Sequence, residues 1–273
     1  MNIIFVEPDK DLSFYIDKIR VLYTDDEIHN KQKITPSPYT CLSYNHFSIP
    51  KFSVKGEAFI SENKLQLTGP KISDDIYALH NRKLSQVLIE FSPTGFFCLF
   101  GQSPRDFVNR TISLSRLNKI NSINDLLKNL NQSDNYISHI EILQDYLLTL
   151  VPRDFEPIDY INKAINTIDE LSAKVTVHSL CKKIGIGERQ FNRKFCKIVG
   201  ISPIRFIKIR QLHFIINRMC LNHYNSISEL AYDTGFYDPA HFSNSFKKLT
   251  KMTPGEFITS DEHIAMDYYS KLI

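Results

Sequence analysis

Cysteine is scarce in this sequence of 273 residues, and its five cysteines never stand in a C-x-x-C pair. Such pairs mark zinc clusters and thiol redox motifs, so the sequence predicts neither kind of site. The nine histidines are also dispersed, with no H-E-x-x-H motif and no close set of histidine and cysteine ligands. We therefore expect no bound metal.

Long apolar runs are also missing. Nowhere do 18 uncharged apolar residues follow one another, which excludes an ordinary membrane-spanning helix. The chain starts MNIIFVEPDKD, with an acidic side chain already at position 7, so no signal peptide is predicted. A cytoplasmic protein with reduced cysteines is the simplest expectation.

Groups that carry enzymatic chemistry are equally sparse. Closely spaced glycines occur once, in Gly185-Ile186-Gly187, without the third glycine and the strand–turn–helix context of a nucleotide-binding loop. No arrangement of nucleophile, acid and base stands out along the chain. We expect a protein that is not an enzyme, has no catalytic residues and carries no cofactor.

What the sequence does contain is an uneven distribution of charge. Residues 174–251 hold 14 Lys and Arg against four Asp and Glu, whereas the net charge of the whole chain is only +3. The remainder is therefore acidic. A basic segment joined to an acidic remainder suggests a polyanionic partner for the basic part, although a solvated charged surface would look the same.

Residues 1–117 have the chemistry of β-strands, and we expect them to form a β-rich domain of the kind that serves as a sensor. Short aromatic and β-branched segments are separated by Gly, Pro, Asn or Ser, at 39–47, 55–60, 64–69 and 85–91. The segment 12–23 fits a helix or a strand. SPTGFFCLFG (92–101) is predicted to be a turn leading into a buried strand.

Residues 118–155 are predicted to form a helical linker. SINDLLKNL (122–130) opens with a serine that can cap a helix, and its leucines recur at helical spacing. The next segment, 133–151, carries one broad apolar stripe. Such a stripe more commonly packs against a domain, and the alternative is that it forms a homodimer contact. The stripe consists of Tyr136, Ile137, Ile140, Leu143, Leu147 and Leu150.

Residues 156–260 contain an internal repeat. Corresponding residues lie 51 positions apart in three pairs: Phe191 and Phe242, Phe195 and Phe246, Pro203 and Pro254. A duplication of this kind implies that one supersecondary unit is used twice.

Each copy fits a helix-turn-helix. In the first copy, Gly185 ends a short helix that starts near residue 178, and a second helix follows at about 188–199. In the second copy, Ser226 and Glu229 form a capping-box pattern, Gly235 makes the turn, and Asp238 caps a helix that begins with Pro239. Ile186 and Phe236 are predicted to fill the angle between the helices of each copy.

In each copy the second helix has an apolar face for its own core and a polar face that suits a DNA major groove. The alternative is that the polar face is only a solvated helix surface, and the internal repeat favours DNA binding over this alternative. The predicted base-reading residues are Arg189, Gln190, Asn192, Arg193, Ala240, His241, Ser243 and Asn244. The predicted phosphate contacts are Lys194, Lys197, Lys208, Arg210, Lys247 and Lys248. For His241, packing beside Phe242 is nearly as good an interpretation.

Two segments carry a resemblance to a known family, GFYDPAHFSNSFKKLTKMTP (235–254) and RQFNRKFCKIVGISP (189–203). With these glycines, aromatics and Ser/Thr-Pro stops in register, the sequence resembles the AraC/XylS family of bacterial transcription regulators over about 156–258. The resemblance implies a fold of class α+β, with a sensor-like β-rich domain, a helical linker and an all-α domain of seven helices with two helix-turn-helix units. It also implies binding to double-stranded DNA and activation through contact with RNA polymerase.

Two positions depart from that family's pattern. Lys251 stands where the family usually has Gly, so the exit of the second reading helix is expected to differ. Asn244 stands where an Arg is common, and because Asn pairs well with adenine, we expect an A/T-leaning second half-site. Two interpretations of the N-terminal domain remain. In one, it binds an unknown small-molecule effector; in the other, the protein is a constitutive regulator that is controlled by a protein partner.

Overall fold

Strands occupy the first part of the chain and helices the second, which confirms the predicted α+β class. The computed structural model describes residues 2–27, 30–54, 57–59, 63–72, 76–80, 83–117, 123–152, 158–171, 174–221 and 223–259. Its strands are β1 (Asn2–Val6), β2 (Ile16–Tyr23), β3 (Asn30–Lys33), β4 (Cys41–Asn45), β5 (Lys51–Val54), β6 (Glu57–Phe59), β7 (Leu65–Thr68), β8 (Ile76–His80), β9 (Ser85–Phe91) and β10 (Thr111–Ser113). Its helices are α1 (Gly95–Phe100), α2 (Ile123–Asn131), α3 (Tyr136–Leu148), α4 (Asp159–Glu170), α5 (Val177–Ile184), α6 (Glu188–Val199), α7 (Pro203–Cys220), α8 (Ile227–Asp233), α9 (Pro239–Thr250) and α10 (Pro254–Thr259).

The strands form two antiparallel sheets. The larger has six strands in the order β1-β2-β9-β4-β7-β10, and the smaller has four in the order β3-β8-β5-β6. Residues 12–23, which fitted a helix or a strand, form β2 after a short 3-10 turn. The predicted cap Ser122 and the linker residues 153–157 lie outside the described part of the chain.

The six-stranded sheet has two chemically different faces, because successive side chains of a strand point to opposite sides. On one face, apolar residues such as Val21, Leu42 and Ile89 pack into a core with α2 and α3. On the other face, polar residues such as Arg20, Ser43 and Glu90 line a cavity that the four-stranded sheet covers. The sheet therefore supplies a core on one side and a chamber on the other.

The apolar stripe of α3 packs largely against the sheet. Ile140, Leu143 and Leu147 are buried in the core of the N-terminal region, with Tyr136 and Leu150 packed at its edge. Only Ile137 of the stripe is mainly exposed, at 52%. This burial favours the packing interpretation over a dimer contact.

The predicted buried strand in 92–101 is wrong, because residues 95–100 form the short helix α1. A continuous apolar run does not distinguish a buried strand from a buried helix, and here the aromatic rings are at helical spacing. Phe96 and Phe100 stack at 4.8 Å between ring centroids, one turn apart. Phe97 points elsewhere and joins the first core of the C-terminal region.

The helices from α4 onward enclose two separate cores, one for each copy of the repeat. Phe191, Phe195 and Phe206 are fully buried in the first core, and Phe242 and Phe246 are buried in the second. Helix α7 contributes to both, since Phe206, Ile207 and Ile209 lie in the first core and Leu212, Ile215, Ile216 and Met219 in the second. Each repeat unit is thus fixed to one half of the same helix.

Candidate nucleic-acid interface

The first unit consists of α5, a tight turn and α6. Helix α5 begins with a complete capping box, in which the Thr176 hydroxyl accepts the N–H of Ser179 and the Ser179 hydroxyl accepts the N–H of Thr176, both at 3.1 Å. The helix ends at Gly185, whose φ of 71° is the left-handed conformation that glycine adopts at little cost. Ile186 packs against the core between the two helices, as predicted.

Helix α6 occupies the predicted range, and its two faces differ as the sequence indicates. Phe191, Phe195 and Ile198 are buried, whereas Arg189, Gln190 and Arg193 are exposed. Asn192 is half-buried, and its amide Nδ2 donates to the carbonyl of Glu188 at 2.9 Å. The exposed end of this helix therefore presents two guanidinium groups and one amide to solvent.

The second unit repeats this arrangement with different caps. The Ser226 hydroxyl accepts the N–H of Glu229 at 3.1 Å. The Glu229 carboxylate accepts hydrogen bonds from the backbone and side-chain amides of Asn225, which lower the pKa of Glu229. The turn residue Gly235 has a φ of 87°. Asp238 caps α9 by accepting the N–H groups of Ala240 and His241, at 3.0 and 3.1 Å.

Helix α9 carries smaller side chains than α6 on its exposed face. Ala240, His241 and Asn244 are exposed and Ser243 is half-buried. The His241 ring is exposed and makes an edge contact with Phe236, with centroids 5.4 Å apart, rather than lying in the core beside Phe242. Short side chains here permit a close approach of the helix to a flat or grooved surface.

The two units are joined by α7, which is one uninterrupted helix of 18 residues. Ser202 caps its first turn and Pro203 is its first residue, so the chain passes directly from α6 into α7. A helix of this length spans about 27 Å. Because both cores pack against α7, a rigid helix rather than a loop sets the distance between the two units.

Comparison with known proteins identifies this region. The family profile described as a helix-turn-helix domain matches residues 180–260. The chain is also 36% identical over 80 residues to the HTH-type transcriptional regulator GlxA of Rhizobium meliloti (strain 1021). Residues 180–260 form an AraC-type helix-turn-helix domain. By its name, that relative is a transcriptional regulator.

The similarity to that relative is confined to the AraC-type domain. The alignment covers 28% of this chain and 24% of GlxA, so the chain spans about a quarter of the curated relative it matches. Among solved structures, ToxT from Vibrio cholerae is 14% identical and has a TM-score of 0.47, over 88% of this chain and 97% of ToxT. The C-terminal domain of AraT from Geobacillus stearothermophilus is 19% identical, with a TM-score of 0.34, over 38% of this chain and 93% of that domain.

Most of the predicted phosphate contacts lie on the surface of the AraC-type domain, and two of the six also contact the N-terminal region. Lys208, Lys247 and Lys248 are exposed, and Lys194 is half-buried. Lys197 is exposed as well, and its ammonium lies 5.3 Å from the ring centroid of Phe97 in α1.

Arg210 makes an interdomain contact. Its guanidinium forms an ion pair with Asp169 at 2.7 Å and donates to the hydroxyl of Tyr39. Burial raises the pKa of Asp169, and the neighbouring Arg210 opposes that shift. In this conformation Arg210 is therefore held against the N-terminal domain rather than presented with the exposed lysines.

Sequence reasoning did not single out Tyr237, which is 98% exposed immediately before the cap of α9. Its position in the turn of the second unit could have drawn attention to it, since a large aromatic side chain has little structural use there. Lys33, Pro36, Tyr39 and His213 also went unnoticed, although they join the domains. No local pattern marks them.

The sequence predicts neither a metal site nor a membrane-spanning helix, and the described residues can be searched for both. Within them no group of three or more His, Cys, Asp and Glu side chains could hold a metal ion. The described helices include none that is long and apolar enough to span a membrane.

Proposed function

We propose that this protein is a sequence-specific, DNA-binding transcription regulator that reads two successive major grooves with α6 and α9. The observation that carries the proposal is the pair of equivalent helices, each gripped by its own core and each exposing polar side chains near its N-terminal end. The proposed base-reading residues are those predicted from the sequence on the two helices. An activator that contacts RNA polymerase in the cytoplasm is the form of regulation we expect.

The geometry supports simultaneous reading by both units. Successive major grooves on one face of B-DNA are about 34 Å apart. The rigid helix α7, about 27 Å long, can hold two reading helices at a separation of that order. One chain would then make the contacts that a dimeric repressor makes with two subunits.

The two units are expected to contribute differently. Helix α6 offers Arg189 and Arg193, which favour guanine, whereas α9 offers Asn244, which favours adenine, beside small side chains. Lys194, Lys208, Lys247 and Lys248 would contribute affinity for phosphate without sequence preference. Arg210 is left out of this set because Asp169 and Tyr39 hold its guanidinium, whereas the exposed Lys197 stays in it beside Phe97.

Selection of binding sites from random DNA tests the proposal directly. We expect two half-sites about one helical turn apart, with an A/T-rich second half. A gel shift on the selected DNA should show affinity that falls steeply as salt is raised, because bound lysines and arginines release counterions. Insertion of five base pairs between the half-sites should abolish the contribution of the second one. Binding that is independent of sequence and spacing would refute the proposal.

A second function, recognition of a small-molecule effector, is favoured by the cavity between the two sheets. The cavity has a volume of about 170 Å³. Three buried polar atoms of residues that line it have no hydrogen-bond partner within the described part of the chain: Thr35 Oγ1, His80 Nδ1 and Glu90 Oε1. Such groups are costly to bury unpaired, so a ligand with hydrogen-bonding groups would stabilise the folded domain.

The electrostatics of the cavity point the same way. Burial lowers the pKa of Lys71 to about 8, and burial raises the pKa of Cys41 to about 11. Arg20 is already engaged by Glu90, with the guanidinium and carboxylate 2.6 Å apart. Lys71 instead lies near an aromatic ring, 5.8 Å from the centroid of Phe52. The chamber therefore combines apolar walls with charged and polar groups such as Arg20, Lys71 and Glu90, which suits a ligand that has both apolar and polar parts.

A thermal-stability screen with metabolites tests this second function. A true effector should raise the melting temperature of the parent protein. Ala78 lines the cavity on β8, so Ala78→Leu should fill part of it and remove the stabilisation. Circular dichroism must first show that the variant is folded. Stabilisation that persists in the folded variant would place the ligand elsewhere, and a protein that no metabolite stabilises would favour control by a protein partner.

A further inference from the structure

Both reading helices touch the N-terminal region at their C-terminal ends. At the end of α6, Lys197 lies over Phe97, and a side chain at Gly200 would come within 2.9 Å of Pro104 Cγ. At the end of α9, the ammonium of Lys33 donates to the carbonyl oxygen of Thr250 at 2.6 Å. The N-terminal region therefore holds each helix by the end opposite to its exposed reading residues.

The contact between Lys33 and Thr250 links parts of the chain that are 217 positions apart. Lys33 is only 5% exposed, and a buried ammonium is costly unless a polar partner compensates for the lost water. The last carbonyls of a helix have no partner within the helix and carry partial negative charge. The end of α9 thus supplies a suitable site for this ammonium, which its place in β3 ties to the four-stranded sheet.

The residues that follow Lys33 contact the helix that joins the two units. The imidazole of His213 donates from Nε2 to the carbonyl of Pro36 at 2.7 Å. Arg210, one turn earlier on α7, reaches Tyr39. The segment 33–39 therefore contacts both the joining helix and the second unit, while α1 and residues 104–105 contact the first.

We infer that the N-terminal domain is a brace that fixes the two reading units relative to each other, and that Lys33 is a positioning residue for α9. The inference rests on the proposed two-groove reading. A unit whose position is already fixed loses less freedom when DNA binds, and it engages the second half-site at a higher effective concentration. Lys33 itself touches no base; it acts through the placement of α9.

The inference is tested with the full-length protein and two DNA duplexes, one with both half-sites and one with the second half-site scrambled. Lys33→Met keeps a similar length but lacks the ammonium. The second-half advantage is the ratio of the affinity for the complete duplex to the affinity for the scrambled one. We expect Lys33→Met to lower this ratio roughly tenfold, with unchanged affinity for the scrambled duplex. Lys33→Arg should retain most of the advantage. Lys51→Met, on an exposed lysine of the same sheet, is the matched control and should behave like the parent.

Each of the other possible results contradicts one specific part of the inference. Tighter binding of Lys33→Met to the complete site would mean that the contact holds α9 away from DNA, and equal loss on both duplexes would mean a general folding role. An unchanged second-half advantage in Lys33→Met would refute the brace alone. If the parent itself gained nothing from the second half-site, the two-groove reading would fail and the brace with it.

Discussion

Lys251 ends α9 in a backbone conformation that suits glycine, and this makes a sharp prediction about stability. Its φ is 64° and its ψ is 8°, in the left-handed region, and its N–H donates to the carbonyl of Lys247 at 2.8 Å. A side chain with a Cβ atom costs roughly 1–2 kcal/mol in this region. The equivalent residue of the first unit is Gly200, with a φ of 90°. The exit geometry is thus conserved between the units, although the sequence departure suggested that it would differ.

Two substitutions at this position separate the backbone effect from the loss of charge. Lys251→Gly and Lys251→Ala both remove the ammonium, so they differ only in the Cβ atom. Part of the relief from strain is offset because glycine gains freedom in the unfolded chain. We therefore expect Lys251→Gly to be more stable than Lys251→Ala by about 1 kcal/mol, which corresponds to about 2–4 °C in melting temperature.

Lys248 provides the matched control, since it is an exposed lysine in the last turn of the same helix, before the left-handed residue. Helical backbone makes glycine less favourable than alanine there, by up to about 0.8–1.0 kcal/mol. The order of the Gly and Ala variants should therefore reverse between the two positions. Thermal unfolding followed by circular dichroism measures all four variants. The same order at both positions would refute the argument that Lys251 is held in the left-handed region.

Three further predictions concern binding and pH. Arg193→Ala should weaken specific DNA binding by roughly 1–3 kcal/mol in a titration with the selected site, and equal binding by variant and parent would remove Arg193 from the base-reading set. Lys247→Ala should weaken binding to all sequences alike and reduce the slope of log affinity against log salt by about 0.9, whereas an unchanged slope would exclude a phosphate contact. Burial lowers the pKa of His213 to about 3, so between pH 6.5 and 3 the unfolded chain binds a proton that the folded protein does not. The free energy of unfolding therefore falls over that range as pH is lowered, by at most about 1.4 kcal/mol per pH unit. Denaturation experiments at pH 7.5 and 5.5 should show a smaller decrease for His213→Gln than for the parent. An identical decrease would contradict the lowered pKa of His213.

The elements that the sequence predicted best are those in which one local pattern decides the structure. Helix α6 has the predicted bounds because Phe191, Phe195 and Ile198 recur on one face between two left-handed glycines. Strand β9 also matches, because a β-branched and aromatic run is bounded by polar turns. In both cases, local propensity and the final packing agree.

The misses occur where a neighbouring element decides the structure. NKQK (30–33) has no apolar alternation, yet it is the edge strand β3 because β8 supplies its hydrogen bonds. Residues 95–100 are apolar throughout and become helical as their rings divide between two cores. No pattern within a short window contains this information.

The same reasoning explains why the exposed polar faces of α6 and α9 could be predicted and the contacts between the domains could not. The residues of each exposed face belong to one helix, so their spacing is visible within a dozen positions. The contacts between the domains join Lys33 to Thr250, Pro36 to His213 and Tyr39 to Arg210, across 217, 177 and 171 positions. Each partner alone is an ordinary polar residue. Only the packing of the four-stranded sheet and the segment 33–39 against α7 and α9 brings these partners together, and this packing places the N-terminal domain in direct contact with the end of α9.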